Sequence, residues 1–414
     1  MTSKTPKLYL DVLRPDQWEI VKHPAKFKVI AAGRRYGKST TCGNAAILDA
    51  VNGRRVAWIT PTYKNARPFW VMVERAIREL VASKQARIDR KENQFTFSSG
   101  GSISLFSADN PQSILGNNFH FIIIDEAARI DENVYYETLK PMVADTDGDI
   151  WMISTPKGLN WFYTEYLRGL RDMKELGDSA EVAAFHRRTR DNPNPNILKA
   201  YERVKREIPS VKFRQEWDAE FITEGVLFSN VDANIYGEMP TTLPKQNRND
   251  MWVMGVDLGK LHDPTVAVVY DVNEGRVVWI ESYHSNYTEQ IQRLKTLVDH
   301  IQPAAMVVER TGNQGVIEML QNANLPITPF DTTNASKTRI IDNLIMKFER
   351  GEISIPNHQE LIGELLMFEA TQGKGSAGIV RYSAPRGQHD DHVIALALAV
   401  EAAHTGVTWE AIIT

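Results

Sequence analysis

An apolar run, Phe27–Ala32, passes without a break into Gly33-Arg34-Arg35-Tyr36-Gly37-Lys38-Ser39-Thr40, and a helix-forming stretch begins at Ser39. A strand that turns through glycines into a helix start aims backbone N–H groups at one point, and the helix dipole favours an anion there. Such a loop cradles a nucleotide's phosphates. Lys38 meets the β- and γ-phosphates, the Ser39 hydroxyl holds the Mg²⁺ that accompanies ATP, and Gly33, Arg34, Arg35, Gly37 and Thr40 complete the contact. The strict pattern wants glycine six residues ahead of the lysine; Ala32 stands there and Gly33 comes one later. Taken alone, the stretch also reads as a basic surface turn.

A second run separates these readings. Phe121-Ile122-Ile123-Ile124 ends in Asp125-Glu126, the form of a buried parallel strand that delivers two carboxylates at its C-terminal edge. Downstream of a phosphate loop, Asp125 is the acid of the Mg²⁺ shell and Glu126 the general base that polarises the attacking water. Ser154-Thr155, at the next strand tip, suit a γ-phosphate sensor for coupling, although a hydroxyl turn before Pro156 is spelled the same way. Gln17 is a candidate for an adenine edge. Arg34 and Arg35 suit transition-state charge within the subunit, and Arg67 and Arg129 on a neighbouring one, against the plain reading of solvated side chains.

The 414 residues exceed one ordinary core and suit two domains. With 43% apolar and 24% charged residues the chain is neither disordered nor fibrous. A single cysteine, Cys42, excludes an intrachain disulfide and fits a reducing compartment. No apolar run approaches the roughly 18 residues of a membrane span, and the N-terminus lacks a signal-peptide core, so a cytosolic protein is expected. The net charge of −4 hides an asymmetry: residues 1–220 carry 34 basic and 28 acidic side chains, residues 251–414 carry 12 and 20. That is +6 against −8, the pattern of a half that meets phosphates and a half that gathers cations.

Strands are expected at Phe27–Ala32, Val56–Thr60, Phe121–Ile124, Ile150–Ser154 and Glu181–His186. Helices are expected around Ser39–Ala50, Ala66–Ala82, Glu132–Val143 and Trp161–Leu170, with a hairpin turning at Gly100-Gly101. This βα alternation makes residues 1–190 an α/β ATPase domain. Residues 191–250 read as two polar helices, Ile197–Ile208 and Val211–Glu220, and a linker, Gly225–Asp250. Residues 251–414 open on three strand-like runs, Trp252–Val256, Thr265–Tyr270 and Val277–Tyr283. Helix and strand then alternate, among them a helix at Gln314–Asn322 and a short strand at Ile327–Phe330. That order is RNase H-like.

Within this last segment Asp257 ends the first strand, Glu309 ends the strand Ala304–Val308, and Asp390 and Asp391 open the helix His392–Glu401. An RNase H-like sheet brings those three places together. Crowded acids raise one another's pKa, and divalent cations are the natural compensation. Two Mg²⁺ or Mn²⁺ about 4 Å apart activate water and stabilise the leaving oxygen in phosphodiester cleavage. Asp263 and His389 are candidate auxiliary ligands, and Lys337, opening a helix Lys337–Arg350, is a candidate contact for the scissile phosphate. Separately, each acid has a plainer reading, Asp390 or Asp391 as a helix cap and Asp257 as a turn residue.

A P-loop ATPase followed by an RNase H-like nuclease resembles the large terminase subunit of tailed bacteriophages, over nearly the whole chain. The resemblance rests on Gly33–Thr40, Ile122–Ala128, Ser154-Thr155, Gly255–Thr265, Val307–Arg310 and His389–Ala397, and Phe213–Phe221 is similar to the family's segment ahead of the nuclease. Arg34-Arg35 matches the family's deviant loop. Where relatives carry a further acid three residues after the last, Ile394 stands here. The resemblance implies an α/β fold with an N-terminal P-loop (RecA/ASCE-like) ATPase domain and a C-terminal RNase H-like nuclease domain. It implies a motor that drives double-stranded DNA into procapsids and cuts concatemers. Its partners would be a small terminase subunit and the portal protein, on which it forms a pentameric ring. In solution it would be a monomer, without membrane contact, in the host cell cytoplasm. Two rivals are a helicase or repair nuclease and a non-cleaving ATP-gated scaffold. The first needs a second ATPase core where the acids stand, and the second leaves the acids without work.

Overall fold

The structure, a computed structural model, describes residues 6–222, 227–228, 230–247, 250–259, 263–310, 313–372, 380–384 and 389–405. The chain divides into two compact units. Residues 6–206 and 211–222 form the first; 207–210 and the described residues from 227 onward form the second.

The first unit runs α1 (Pro15–Lys22), β1 (Phe27–Ala32), α2 (Lys38–Val51), β2 (Arg55–Thr60), α3 (Tyr63–Ala76), α4 (Arg78–Ala82), β3 (Ala86–Asp89), β4 (Gln94–Phe97) and β5 (Ser102–Ser107). It continues through β6 (Phe121–Asp125), β7 (Asp149–Ser154), α5 (Trp161–Leu176), β8 (Val182–Arg187), α6 (Pro195–Val204) and α7 (Ser210–Trp217). Among the described residues eight strands make one sheet in the order β3-β4-β5-β2-β6-β7-β1-β8. From β5 to β8 every pairing is parallel, while β3, β4 and β5 form an antiparallel meander. The parallel strands are apolar throughout because both faces are covered. Ile30, Trp58 and Ile123 pack with Ile47 and Phe69 on one face; Ile59, Ile122 and Met152 pack with Tyr135 and Phe162 on the other. Strand β7 stands between β1 and β6, with Ala31 level with Ser154 and Asp125 level with Ile153. The loop after β1 and the acids of β6 therefore emerge at one sheet edge.

The second unit runs β9 (Ile235–Gly237), β10 (Trp252–Asp257), β11 (Thr265–Asp271), β12 (Arg276–Tyr283), α8 (Tyr287–Ile301), β13 (Ala305–Glu309), α9 (Gln314–Asn322) and β14 (Ile327–Phe330). Then come α10 (Asn334–Arg350), β15 (Ile355–Pro356), α11 (Gln359–Met367), β16 (Glu369–Gln372), β17 (Val380–Ser383) and α12 (Asp391–Thr405). Its central sheet is ordered β12-β11-β10-β13-β14, antiparallel across β12, β11 and β10 and parallel from β10 to β14. The turn between β11 and β12 is fixed locally: Asp271 accepts the N–H groups of Asn273 and Glu274, and Gly275 takes a φ of 62°. Helix α12 is apolar on almost every side and lies on β10, where a Cβ on Gly255 would sit 2.1 Å from the Ala399 nitrogen. Glycine there lets helix and strand close, which carries Asp391 to the sheet edge. Among the described residues no helix is long and apolar enough to cross a membrane.

Several elements differ from expectation. The helix expected at Glu132–Val143 is a π-turn, Val134–Leu139, followed by a 3₁₀ turn, Pro141–Val143. Pro141 has no N–H to continue a helix, and Lys140 N–H reaches back five residues to Tyr135. The stretch Ala66–Ala82 breaks at Ile77 into α3 and α4. Strand β3 is a short edge with little apolar signal. Helix α10 starts at Asn334 under a Thr333 cap, so Lys337 lies in its first turn rather than opening it. The expected linker is partly fold: Leu227, Phe228 and Val231 are buried in the second core, and β9 pairs with β15. Residues 225, 226, 229, 248 and 249 of that linker, and 260–262 of Gly255–Thr265, lie outside the described residues.

Candidate active sites

Gly33–Gly37 turns the chain from β1 into α2. Gly37 has φ 106°, and the first turn of α2 holds neither a capping side chain nor an acid. Its N–H groups are left for an external anion. Arg35 takes φ 61°, a left-handed conformation unusual outside glycine, and Glu126 does the same at 55°. Two left-handed residues at one sheet edge, on the loop after β1 and at the end of β6, mark a place whose geometry the surroundings enforce. Gln17 is buried. Its Nε2 donates to the Gly37 carbonyl at 3.3 Å and its Oε1 accepts the Arg14 N–H, so its amide braces the loop.

Lys38 Nζ lies 3.5 Å from Glu126, and Arg129 lies 3.7 Å from the same carboxylate. Asp125 is buried behind them. Burial first, and the Glu126 charge second, push its carboxyl up to about 7, against the pull of Lys38 and a Ser39 hydrogen bond. The two acids of β6 thus have different environments, one enclosed beside Ser39 and one facing cations. Ser154 and Thr155 are buried at the intervening tip, where the Ser154 hydroxyl donates to the Thr155 carbonyl at 2.7 Å. Arg67 is exposed on α3, away from these contacts, whereas Arg129 stands on its own chain's Glu126.

Two residues at this site had no role in the sequence reading. Glu216, on α7, is 6% exposed, 2.7 Å from the Arg34 guanidinium and paired with Lys157. Burial alone would raise Glu216, but the Lys157 and Arg34 charges outweigh it and hold the carboxyl low. The Arg34 N–H also donates to the Glu216 carbonyl, and Thr189 Oγ1 donates to the Arg34 carbonyl. A Cβ on Gly33 would lie 2.2 Å from the Trp217 carbonyl, so this glycine serves packing against α7. The sequence signal for Glu216 was its place in Phe213–Phe221, the stretch similar to the family's segment ahead of the nuclease; for Lys157 there was none.

In the second unit Asp257, Glu309, Asp390 and Asp391 line one cleft of about 260 Å³, with Asp263, Asn313, Lys337 and Ile394. Asp257 is 8% exposed. Burial, then the Glu309 charge and a hydrogen bond to it, drive its carboxyl well above the usual range, with Asp391 and Asp390 adding repulsion. Asp391 is pushed up to about 6 by burial first and then by Glu364 and Asp390, with His389 opposing. The helix-cap reading of the last acids does not hold. Glu364, on α11, accepts the N–H groups of His392 and Val393 at 2.8 and 3.2 Å and pairs with the His392 ring at 2.6 Å. With the helix end capped from elsewhere, Asp391 Oδ2 is buried and makes no well-aligned hydrogen bond among the described residues; its neighbour is His389 Nδ1 at 3.3 Å. Lys337 reaches Asp390 at 2.9 Å; His389 lies 3.3 Å from Asp391 and 3.8 Å from Asp263.

Among the described residues no three of these side chains already close around a single point as ligands do. Their donor set nevertheless fits a hard divalent cation: all oxygen, partly desolvated, two close enough to share a proton, one oxygen unsatisfied. Such a cleft fits Mg²⁺ or Mn²⁺ and fits thiophilic metals poorly.

A phosphate-loop fold with β7 between loop and acid strands, joined to an RNase H-like unit with clustered acids, defines a nucleotide-hydrolysing enzyme with a nuclease unit. Residues 29–235 match the family described as terminase large subunit, T4-like virus type, N-terminal. The large terminase subunit of Thermus virus P23-45 is 30% identical over 92% of this chain and 86% of its own, and that of Escherichia phage T5 is 28% identical over 59% and 55%. The solved large terminase of a thermophilic bacteriophage shares the fold, with a TM-score of 0.54 at 16% identity over 94% of this chain and 98% of its own. The chain belongs to the terminase large subunit family; it is a DNA-packaging motor subunit with ATPase and nuclease activities.

Proposed function

We propose that ATP is hydrolysed at the loop Gly33–Thr40 and that double-stranded DNA is cut at the Asp257–Glu309–Asp391 cleft. The convergence of three acids from β10, β13 and α12 on one cleft carries the nuclease half of this reading.

At the first site, the N–H groups opening α2 bind phosphate oxygens, and Lys38 leaves Glu126 for them when a more negative partner arrives. Glu126, released, orients the attacking water and takes its proton. Ser39 and Asp125 would hold a Mg²⁺ bound with ATP, whose charge would offset that of the phosphates. Arg34 and Arg35, on the loop itself, are the cations available to the phosphates once nucleotide binds, Arg34 by leaving Glu216, and Ser154-Thr155, on the strand between, carry the change to the sheet. At the second site Asp257, Glu309 and Asp391 would hold two Mg²⁺ or Mn²⁺, with Asp390 as a further donor; when bound, the ions would supply an activated water and charge stabilisation for the leaving oxygen. Asp257 would ligate as the carboxylate, and Lys337, which pairs with Asp390 at 2.9 Å, stands in the same cleft to meet the scissile phosphate.

The partners follow the same reading: DNA as substrate and track, a small terminase subunit, and the portal of a procapsid on which copies form a ring in the host cytoplasm. Lys38→Ala and Asp257→Asn test the two sites against each other. Lys38→Ala is expected to lose ATP turnover and keep Mn²⁺-dependent plasmid cutting, and Asp257→Asn the reverse. Loss of both activities in either variant would contradict two separate centres.

A further inference from the structure

Helix α12 starts at the acid cleft, and that start faces two conflicting demands. The N–H groups of a first helical turn are unsatisfied donors, and they ordinarily draw in a carboxylate from the residue just ahead of the helix or from its first turn. The helix dipole also puts partial positive charge there, where a cation is least welcome. Asp390 stands just ahead of α12 and Asp391 is its first residue. Left to satisfy the helix, these acids would turn back onto its N–H groups and away from the cleft. Instead Asp390 pairs with Lys337 at 2.9 Å, and Asp391 lines the cleft with no well-aligned hydrogen bond to Oδ2 among the described residues.

The donors go to a carboxylate from another helix. Glu364 Oε2 accepts the N–H groups of His392 at 2.8 Å and Val393 at 3.2 Å, while Oε1 meets the His392 ring at 2.6 Å. Both side chains are buried, so this carboxylate has exchanged water for those three contacts. Its seat is fixed: Leu361 and Leu365 of α11 lie in the same core as Val393 and Ala397, and His358 caps α11 by accepting the Leu361 N–H at 3.3 Å. We propose that Glu364 is a positioning residue for the nuclease acids. By taking the N–H groups of α12 it leaves Asp390 and Asp391 turned to the cleft, and its charge offsets the positive helix end beside the cation. This rests on the reading of the cleft as a divalent-cation site.

The test is Mn²⁺ affinity, measured by calorimetry on the full chain without nucleotide and well below each variant's melting midpoint. The heat that disappears in Asp257→Asn belongs to the cleft. Glu364→Met keeps the bulk of the side chain and removes both acceptors, so the cleft acids fall back onto the helix. Its Kd for Mn²⁺ is expected to rise on the order of tenfold, the usual size of a lost partner behind a metal ligand. Glu364→Gln still offers one oxygen to the two N–H groups and is expected to weaken Mn²⁺ less than Glu364→Met. Plasmid nicking is expected to follow the same order. Should Glu364→Met not fold, Glu364→Ala takes its place.

A Glu364→Met chain that binds Mn²⁺ as tightly as wild type would show Glu364 to be a fold contact only and overturn the inference. So would a Glu364→Gln chain weakened as much as Glu364→Met, because the captured N–H groups would then not matter. Wild type and Asp257→Asn titrating alike would instead overturn the reading of the cleft itself.

Discussion

Asp391 shows how one side chain's environment becomes a measurable property of the protein. Its folded pKa, near 6, lies above its ordinary 3.8, so the folded state holds that proton more tightly than the unfolded state does. Without metal, the contribution of Asp391 to stability is full below pH 4 and is lost as pH rises through 6. At pH 7.5 the metal-free Asp391→Asn variant is therefore expected to be more stable than wild type, by about 1 kcal/mol after allowing for solvent screening. Asp257→Asn shifts stability in the same direction. Urea midpoints in EDTA check both, and a loss of stability in both would mean the acids do not repel. Mn²⁺ has the opposite interest, since it needs the carboxylates charged. Its affinity is expected to be weaker at pH 5.5 than at pH 7.5, by on the order of tenfold, in a calorimetric titration.

At the scale of elements, the contact of α12 with β10 places the nuclease acids. Gly255→Ala puts a methyl group 2.1 Å from the Ala399 nitrogen and 2.2 Å from the Ala395 carbonyl, both backbone atoms that cannot rotate away. A cost of about 3 kcal/mol is expected, at the upper end for an added methyl in a packed core. Plasmid cutting should fall as Asp391 is displaced, while ATP turnover, housed in the other unit, should persist; an unchanged melting midpoint would count against this packing.

Elements with strong periodicity were legible in the sequence. Strand β1, helix α9 and strand β14 fall where the residues placed them, and the acids sit at the strand ends as expected. The Val134–Leu139 π-turn was hidden because Tyr135 and Leu139, both buried, keep the four-residue spacing of a helix face, and only Pro141 betrays the interruption. Glu216 could not be assigned because its partners, Arg34 and Lys157, are 182 and 59 residues away. Glu364 was invisible for a like reason: it caps a helix that begins 27 residues later, and capping from another helix leaves no local pattern. Acids at the ends of recognisable strands and helices were readable even when far apart in sequence, as Asp257, Glu309 and Asp391 are; partners such as Glu216 and Glu364, which sit inside helices and meet their sites only through packing, were not.

Across the whole molecule, two centres with opposite charge logic share one chain. The first gathers Lys38, Arg34, Arg129 and Lys157 around a loop open to phosphate; the second crowds carboxylates that repel until a cation joins them. Each belongs to a unit with its own core, so the Lys38→Ala/Asp257→Asn double variant is expected to show the sum of the two single losses, read as ATP turnover and plasmid nicking in one preparation. The account depends most on the acid cleft being a cation site. Anomalous diffraction from crystals soaked in Mn²⁺ tests that directly. The predicted result is manganese between Asp257, Glu309 and Asp391, absent from Asp257→Asn crystals under the same soak. Saturating manganese that leaves this cleft empty in the wild-type protein would contradict it.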